Sequence, residues 1–184
     1  MAWKPTYQPP EQALARVTAD CVPPFERLLK AATELGMQPK IRSSLRTCKE
    51  QDEQVRLGFS HAPGCNSWHV LGRALDLDMS PNVCTTYQKL GELWESWGGV
   101  WGGRFGGFGA CGDSGHYEWH PGIKRSELCP NPSACESAMQ ASFELGRRLA
   151  PPPVRAAMGT LGWSMVGLGV TGVGLLVTRW LRLW

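Results

Sequence analysis

The chain has 184 residues, of which 42% are hydrophobic and 19% are charged, and its formal net charge is +3 at pH 7. This composition excludes intrinsic disorder, collagen and a coiled coil, and it predicts one globular domain with appendages. The lysines and arginines are spread along the chain without a dense run, so the charge pattern gives no support to a nucleic-acid-binding protein.

The first predicted elements are a helix and a strand. Residues 1–10 contain no apolar run of the length that a secretory signal needs. Residues 1–22 are expected to form an N-terminal extension. After Pro23 and Pro24, apolar residues recur at helical spacing as far as Gly36. This pattern predicts an amphipathic helix that ends at a glycine in the left-handed conformation. The apolar positions of this helix are Phe25, Leu28, Leu29, Ala32 and Leu35. A short strand is expected at 39–43.

The middle of the chain predicts a polar helix at 48–57 and a strand at 72–79. Successive side chains of a strand point to opposite faces. Leu75, Leu77 and Met79 therefore share one face, whereas Ala74, Asp76 and Asp78 share the other. The sequence predicts a strand with an acidic face.

The second half adds two helices and a strand. Apolar residues at helical spacing predict a helix that ends at Gly98, followed by a glycine-rich stretch to Gly112. A strand is expected at 116–120 and a third helix at 132–149. Together these elements predict an α+β fold. The residues that mark the helix before Gly98 are Tyr87, Leu90, Leu93, Trp94 and Trp97.

The C-terminal region predicts a membrane segment. A proline-rich linker at 150–155 precedes 156–178, which are 23 residues without a charge, and a basic and aromatic tail follows at 179–184. As a helix, 156–178 would reach about 34 Å, enough for a bilayer core of about 30 Å. Its six glycines lower helix propensity. The alternative is a hydrophobic tail that packs on the domain or lies at an interface.

Seven cysteines suggest disulfides, and an odd number leaves at least one thiol unpaired. A disulfide between Cys129 and Cys135 would close a small loop, and one from Cys65 to Cys84 or Cys111 would stabilise the region of the candidate metal ligands. The spacing does not choose among these connectivities.

Two histidines and a carboxylate have the spacing of a metal site. His69 lies in a loop before the strand that carries Asp76, and His116 follows Asp113 by three residues. Two imidazoles and one carboxylate are three ligands for Zn²⁺, with the fourth position open, which is typical of a catalytic site. The alternative is that each histidine is an ordinary hydrogen-bonded or surface residue.

Four motifs, in this order, resemble the zinc D-alanyl-D-alanine carboxypeptidase and L-alanyl-D-glutamate endopeptidase family. This family includes many phage endolysins and the vancomycin-resistance carboxypeptidases. The resemblance covers residues 24–119, and the stretch before Asp113 is longer and richer in glycine than the family pattern. The motifs are Ser43-Ser44-Leu45-Arg46-Thr47 with Gln51, Ser67-x-His69-x-x-Gly72-x-Ala74-x-Asp76, Trp101-Gly102-Gly103-x-Phe105 and Asp113-x-x-His116-Tyr117-Glu118-Trp119.

The resemblance implies a small antiparallel sheet flanked by helices, with a zinc cleft. The expected zinc peptidase domain spans 23–149. It implies that His69, Asp76 and His116 are the zinc ligands and that Asp113 is the general base. Arg46 would bind a substrate carboxylate or stabilise a developing oxyanion; the alternative is a surface arginine at a helix start.

Other polar residues near these motifs have smaller expected roles. Glu118 lies two residues beyond His116 on one strand face, where it is expected to orient the imidazole rather than replace Asp113 as the base. Ser67 either bonds near the metal or caps the loop. Asp78 is not expected to be a zinc ligand, because a fourth protein ligand would close the open coordination position. His61 and His120 are expected to be polar surface residues. Four tryptophans, assigned to the core or the cleft wall, are Trp68, Trp97, Trp101 and Trp119.

The expected function is a membrane-associated zinc metallopeptidase of peptidoglycan stem peptides, with L-Ala-D-Glu endopeptidase-like action and a role in cell-wall lysis. One alternative is a D-Ala-D-Ala carboxypeptidase in wall remodelling. A second is a non-catalytic, membrane-anchored zinc-binding module, although Asp113 beside His116 argues against it. A third is a membrane-permeabilising lysis protein in which the tail is the active part.

Overall fold

The computed structural model describes residues 6–106 and 111–151. The helices within these ranges are α1 (Pro10–Leu14), α2 (Val22–Glu34), α3 (Cys48–Arg56), α4 (Cys84–Ser96), α5 (Arg125–Leu128) and α6 (Cys135–Leu149). The strands are β1 (Lys40–Ser43), β2 (Ala74–Asp78), β3 (Val100–Trp101) and β4 (His116–Glu118). Short 3₁₀ turns occupy Ala19–Cys21, Gly64–Asn66, Gly102–Arg104 and Pro132–Ala134.

The four strands form one small antiparallel sheet in the order β1-β2-β4-β3. The central pairing sets Leu75 opposite Tyr117 and Asp76 opposite His116. The predicted α+β class is therefore confirmed for the described residues. Because β2 lies between β1 and β4, its acidic residues are brought beside both neighbouring strands.

Local signals in the sequence explain where the helices begin and end. Prolines stand in the first turn of α2, where they cost no hydrogen bond, and Gly36 follows its end with a φ of +77°. At the start of α3, Thr47 and Glu50 form a reciprocal capping box. This cap fixes the first turn of α3, which carries Gln51 to the edge of the site described below.

The main core lies on one face of the sheet. Leu75 and Leu77 of β2 are 0% exposed and belong to one apolar cluster with Phe25 and Leu28 of α2 and Trp94 of α4. Residues before α2 belong to the same cluster, since Ala13 and Leu14 of α1 are buried in it. A second, smaller cluster contains Val70, Leu71, Ala74 and Ala138.

Some predicted boundaries differ from the structure. The expected strand at 116–120 ends at Glu118, and the helix expected at 132–149 begins at Cys135 after a 3₁₀ turn. The glycine-rich stretch contains β3, a strand that the sequence pattern does not predict. A strand of two residues is too short to show an alternating pattern.

The cysteine pairings suggested from the sequence were wrong. The disulfides are Cys48–Cys135, Cys65–Cys129 and Cys84–Cys111. The 3₁₀ turn Gly64–Asn66 contacts both α3 and α6, which brings residues distant in the chain together. Cys21 is the free, buried thiol among the described residues, as the odd cysteine count requires.

No helix among residues 6–106 and 111–151 is long and apolar enough to cross a membrane. The predicted C-terminal hydrophobic helix at 156–178 and the tail at 179–184 lie outside the described residues.

Candidate metal centre

The three metal-ligating side chains come from three segments of the chain and lie close together. Asp76 is the third residue of β2, and His116 is the first residue of β4 directly opposite it. His69 comes from the loop before β2, which turns at Gly72 with a φ of +68°. The register of the sheet and this turn therefore bring together residues that are 47 positions apart in the chain.

The distances between the ligating atoms fit a small metal ion. His69 Nε2 lies 3.0 Å from Asp76 Oδ1 and 3.2 Å from His116 Nδ1, and His116 Nδ1 lies 2.9 Å from Asp76 Oδ1. In a tetrahedral zinc site with bonds of about 2.0 Å, ligand atoms are roughly 3.3 Å apart. The three residues are at most 8% exposed. This buried group can hold a metal ion.

Hydrogen bonds on the far side of each ring orient its ligating nitrogen. His69 Nδ1 donates to the backbone oxygen of Ser44 at 2.5 Å, and His116 Nε2 donates to Glu118 Oε1 at 2.9 Å. These partners hold a proton on the outer nitrogen of each ring, so the inner nitrogen is the one that would bind a metal. The expected contact of Glu118 with the His116 imidazole is thus present.

In the metal-free chain, the charge of each of the three ligating residues depends on the charges of its neighbours. Burial opposes charge on His116, but hydrogen bonds to Asp76 and Glu118 outweigh it and raise the pKa of His116 to about 10. Burial also opposes charge on Asp76, yet His69, His116 and Arg46 hold the pKa of its carboxyl well below its usual range. Burial lowers the pKa of His69. A divalent ion would therefore replace a proton on His116.

Asp113 lies in the loop before β4 and lines the same cleft. Its backbone N–H donates to Gly102 O at 2.9 Å, and its own backbone oxygen accepts from the His116 N–H at 3.0 Å. A side chain at Gly102 would collide with the Asp113 backbone, so only glycine allows this approach. Burial raises the pKa of the Asp113 carboxyl.

Arg46 is held beside the ligand carboxylate. Its Nη2 donates to Asp76 Oδ2, its Nε donates to Ser43 Oγ at 3.0 Å, and its Nη1 donates to Gln51 Oε1 at 3.1 Å. Gln51 is itself completely buried. The Arg46 side chain is 18% exposed. It lines the cleft with Asp113 and the three ligating residues.

The interpretation of His120 as a surface residue was wrong. Its Nε2 lies 2.9 Å from Glu118 Oε2, and its ring stacks on Trp68 with centroids 3.9 Å apart. Alternation at 116, 118 and 120 places these three residues on one side of the strand and its extension, which is a signal that could have identified His120.

The remaining polar residues occupy distinct positions. Ser67 Oγ accepts the backbone N–H of His69 at 3.3 Å, which is the loop-capping alternative. Asp78 accepts the Tyr7 hydroxyl at 3.0 Å and pairs with Arg42 at 3.4 Å. His61 is exposed and lines the cleft.

The cleft has a volume of about 1100 Å³. The metal-ligating group lines it, and so do residues 57–63, which follow α3. Phe59 in this segment is 69% exposed. Trp68 and Phe105 also line the cleft, whereas Trp101 is buried in the core. Trp97 and Trp119 pack against that core.

No family model and no curated protein matches the sequence. Among solved structures, the chain is similar to the Serratia marcescens L-Ala D-Glu endopeptidase ChiX, with 21% sequence identity and a TM-score of 0.47. The match covers 62% of this chain and 89% of that chain. This level of similarity does not establish a family for the chain.

Proposed function

We propose that the protein is a zinc metallopeptidase that hydrolyses peptidoglycan stem peptides, with L-Ala-D-Glu endopeptidase-like action. The observation that carries the proposal is the convergence of His69 Nε2, Asp76 Oδ1 and His116 Nδ1 in a cleft that Asp113 and Arg46 also line. The substrate class comes from the resemblance of the sequence motifs to the cell-wall peptidase family.

The donor set favours zinc. Two imidazole nitrogens and one carboxylate oxygen are typical of catalytic zinc sites, which keep one position open. When bound, zinc polarises a carbonyl and lowers the pKa of a water molecule. The protein itself supplies the orientation of both rings and the burial of the three ligands.

In this proposal, Asp113 moves the proton. Its carboxylate accepts a proton from the attacking water as the water oxygen bonds the carbonyl carbon, and it returns that proton to the leaving amine as the peptide C–N bond breaks, so Asp113 ends as the carboxylate it was at the start. Because burial raises the pKa of Asp113, its acid form is easier to reach than that of an exposed aspartate. This suits a group that both takes up and releases a proton.

Arg46 supplies a permanent positive charge beside the reaction. Ser43 and Gln51 hold two of its donor nitrogens, so little side-chain freedom remains to be lost. A guanidinium fixed in a cleft can stabilise negative charge developing on the carbonyl oxygen or bind a substrate carboxylate. A comparison of neutral and carboxylate-bearing peptides with Arg46→Lys separates these roles.

The decisive experiment is mass spectrometry of muropeptides after digestion of purified peptidoglycan by the zinc-loaded protein. Endopeptidase action releases peptides with a new N-terminal D-Glu, whereas carboxypeptidase action removes a single terminal D-Ala. Asp113→Asn is the matched control, because it keeps the side-chain shape. Stoichiometric zinc without any new product would contradict the proposal and favour the non-catalytic module.

We propose that the peptidase domain acts outside the cytoplasm and that 156–178 anchors it in a membrane. Three disulfides in the described part of the chain are typical of an oxidising compartment. The uncharged length of 156–178 suits a bilayer core.

Extraction with alkaline carbonate tests the anchor. A spanning segment stays with the membrane pellet, and complete release of the full-length protein would contradict it. A chain ending at Ala150 should still degrade purified walls if the tail is only an anchor. Loss of wall degradation by this shorter chain would instead favour a tail that is itself active.

A further inference from the structure

Glu118 bridges two histidines, only one of which belongs to the ligating group. Its Oε1 accepts from His116 Nε2 and its Oε2 accepts from His120 Nε2, both at 2.9 Å. The Glu118 side chain is 10% exposed and that of His120 is 17% exposed. Both oxygens of this buried carboxylate are therefore occupied by imidazole donors.

His120 also contacts the segment that carries the other ligating histidine. Its ring lies 3.9 Å from the ring of Trp68, and the two planes differ by only 8°. Trp68 immediately precedes His69 and is 7% exposed, and its backbone oxygen accepts from the Arg73 N–H at 2.9 Å. His120 thus joins the loop before β2 to the end of β4.

His120 is not a fourth ligand. The ligating group in the described residues consists of His69, Asp76 and His116, and the Nε2 atom of His120 points to the Glu118 oxygen remote from His116. Through the described contacts, its influence on a metal would therefore pass by way of Glu118 and Trp68.

We propose that His120 is a positioning residue for the metal site: with Trp68 behind it, His120 fixes the Glu118 carboxylate, which in turn holds the His116 ring so that its Nδ1 faces His69 Nε2 and Asp76 Oδ1. An ionised carboxylate held at one oxygen cannot rotate away from its second partner without breaking a buried hydrogen bond. This inference rests on the proposed zinc site.

The test measures zinc affinity by competition with a chromophoric chelator. His120→Phe keeps an aromatic ring for stacking on Trp68 but removes the donor to Glu118, and His120→Gln supplies an amide donor. Loss of a partner behind a metal-bound histidine typically costs about 10- to 100-fold in affinity. We expect a loss in this range for His120→Phe and a partial recovery for His120→Gln.

A double-mutant cycle with Glu118→Gln separates positioning from general structural damage. If His120 acts through Glu118, His120→Phe will have little further effect on zinc affinity in the Glu118→Gln background. Fully additive losses would overturn the inference. Wild-type zinc affinity in His120→Phe would overturn it as well.

Two further measurements keep the outcomes distinct. The cobalt(II) spectrum of His120→Phe should change if His116 is reoriented, and an unchanged spectrum with a lowered melting temperature of the metal-free chain would contradict positioning. His69→Ala tests the zinc site itself. Wild-type protein that binds no zinc, or His69→Ala that retains it, would refute the proposed function rather than the role of His120 alone.

Discussion

The two faces of β2 are almost equally buried, but they are stabilised by different interactions. On one face, Leu75 and Leu77 are 0% exposed and pack against apolar side chains of α2 and α4. On the other face, Asp76 is 4% exposed and its two oxygens contact His69, His116 and Arg46. Burial on the first face stabilises the fold directly, because apolar area leaves water.

Burying the polar side chains of the second face costs free energy unless each polar atom has a hydrogen-bond or ion-pair partner. Asp76 meets this condition only because strand register and the loop at His69 bring donors from three segments together. Neighbouring residues of one short strand thus have different roles: the apolar face stabilises the fold at every pH, and the acidic face brings together the metal-ligating group. Substitutions on the two faces should therefore change different measurable properties.

The largest effect is expected from Asp113→Asn at the polar face. This change keeps the shape of the side chain but removes its ability to take up a proton. General acid and base catalysis contributes about 10²- to 10⁴-fold in rate, so hydrolysis of peptidoglycan should fall by that factor. Zinc content and melting temperature should stay close to wild type. If Asp113→Asn stays near wild-type activity while Glu118→Gln abolishes turnover, the two roles must be exchanged.

The apolar face should respond in stability instead. Leu75→Ala removes buried methyl groups from a filled core and should lower the free energy of unfolding by about 2–5 kcal/mol. Leu75→Met, which conserves most of the volume, should cost less than about 1.5 kcal/mol. Urea unfolding measures both. Zinc affinity per folded molecule should be unchanged, and a tenfold loss in Leu75→Ala would show that the faces are not independent.

In the metal-free chain, the pH dependence of the free energy of unfolding should come from ionisable groups on the polar face and not from the apolar face. Hydrogen bonds from His116 and His120 outweigh burial and lower the pKa of Glu118 to about 2, from an ordinary value of 4.5. A depressed pKa stabilises the fold above pH 4.5, and this contribution is lost as the pH falls toward 2. Each unit of pKa shift corresponds to roughly 1.4 kcal/mol.

The contribution of His116 to stability changes with pH in the opposite direction. Its pKa is raised from 6.5 to about 10, so its contribution is present below pH 6.5 and is lost as the pH rises toward 10. Urea unfolding with a chelator should therefore show maximum stability between these acidic and alkaline losses. Glu118→Gln should make the acidic limb shallower and leave the part that the depressed pKa of Asp76 contributes, whereas Leu75→Ala should lower the whole curve without changing its shape. An acidic limb unchanged by Glu118→Gln would contradict this assignment.

Local patterns predicted the elements that place the site, but not the contacts between distant segments. Helical spacing before Gly36 predicted α2, and alternation in β2 predicted its acidic face, because both patterns repeat over several residues. The disulfides connect residues 27 to 87 positions apart, so their pairing depends on how helices pack. The bond from Arg46 to Asp76 is equally non-local.

The position of His120 also depends on contacts between distant segments. One histidine beyond a short strand looks like an ordinary surface residue, and its packing on Trp68 depends on the loop before β2 folding back beside it. Sequence alone could show the alternation at 116, 118 and 120, but it could not show which residue would cover the last of these side chains.

The smallest effect is expected at Asp78, on the same face as Asp76 but at the end of β2. Its side chain is 28% exposed, and its partner Arg42 is 36% exposed, with 3.4 Å between Arg42 Nη1 and Asp78 Oδ1. Water screens such a pair, so Asp78→Asn should lower the free energy of unfolding by only about 0.2–1 kcal/mol, and less at high salt.

Zinc affinity should not change, because Asp78 contacts none of the three ligating side chains through a described hydrogen bond. Arg42 also lies 4.0 Å from Asp76 Oδ2, so it is the route by which Asp78 would reach the site. A tenfold loss of zinc affinity in Asp78→Asn would mean that the acidic face acts as one unit. An unchanged affinity would show that a carboxylate on this face matters to the metal only where it is fully enclosed by its partners.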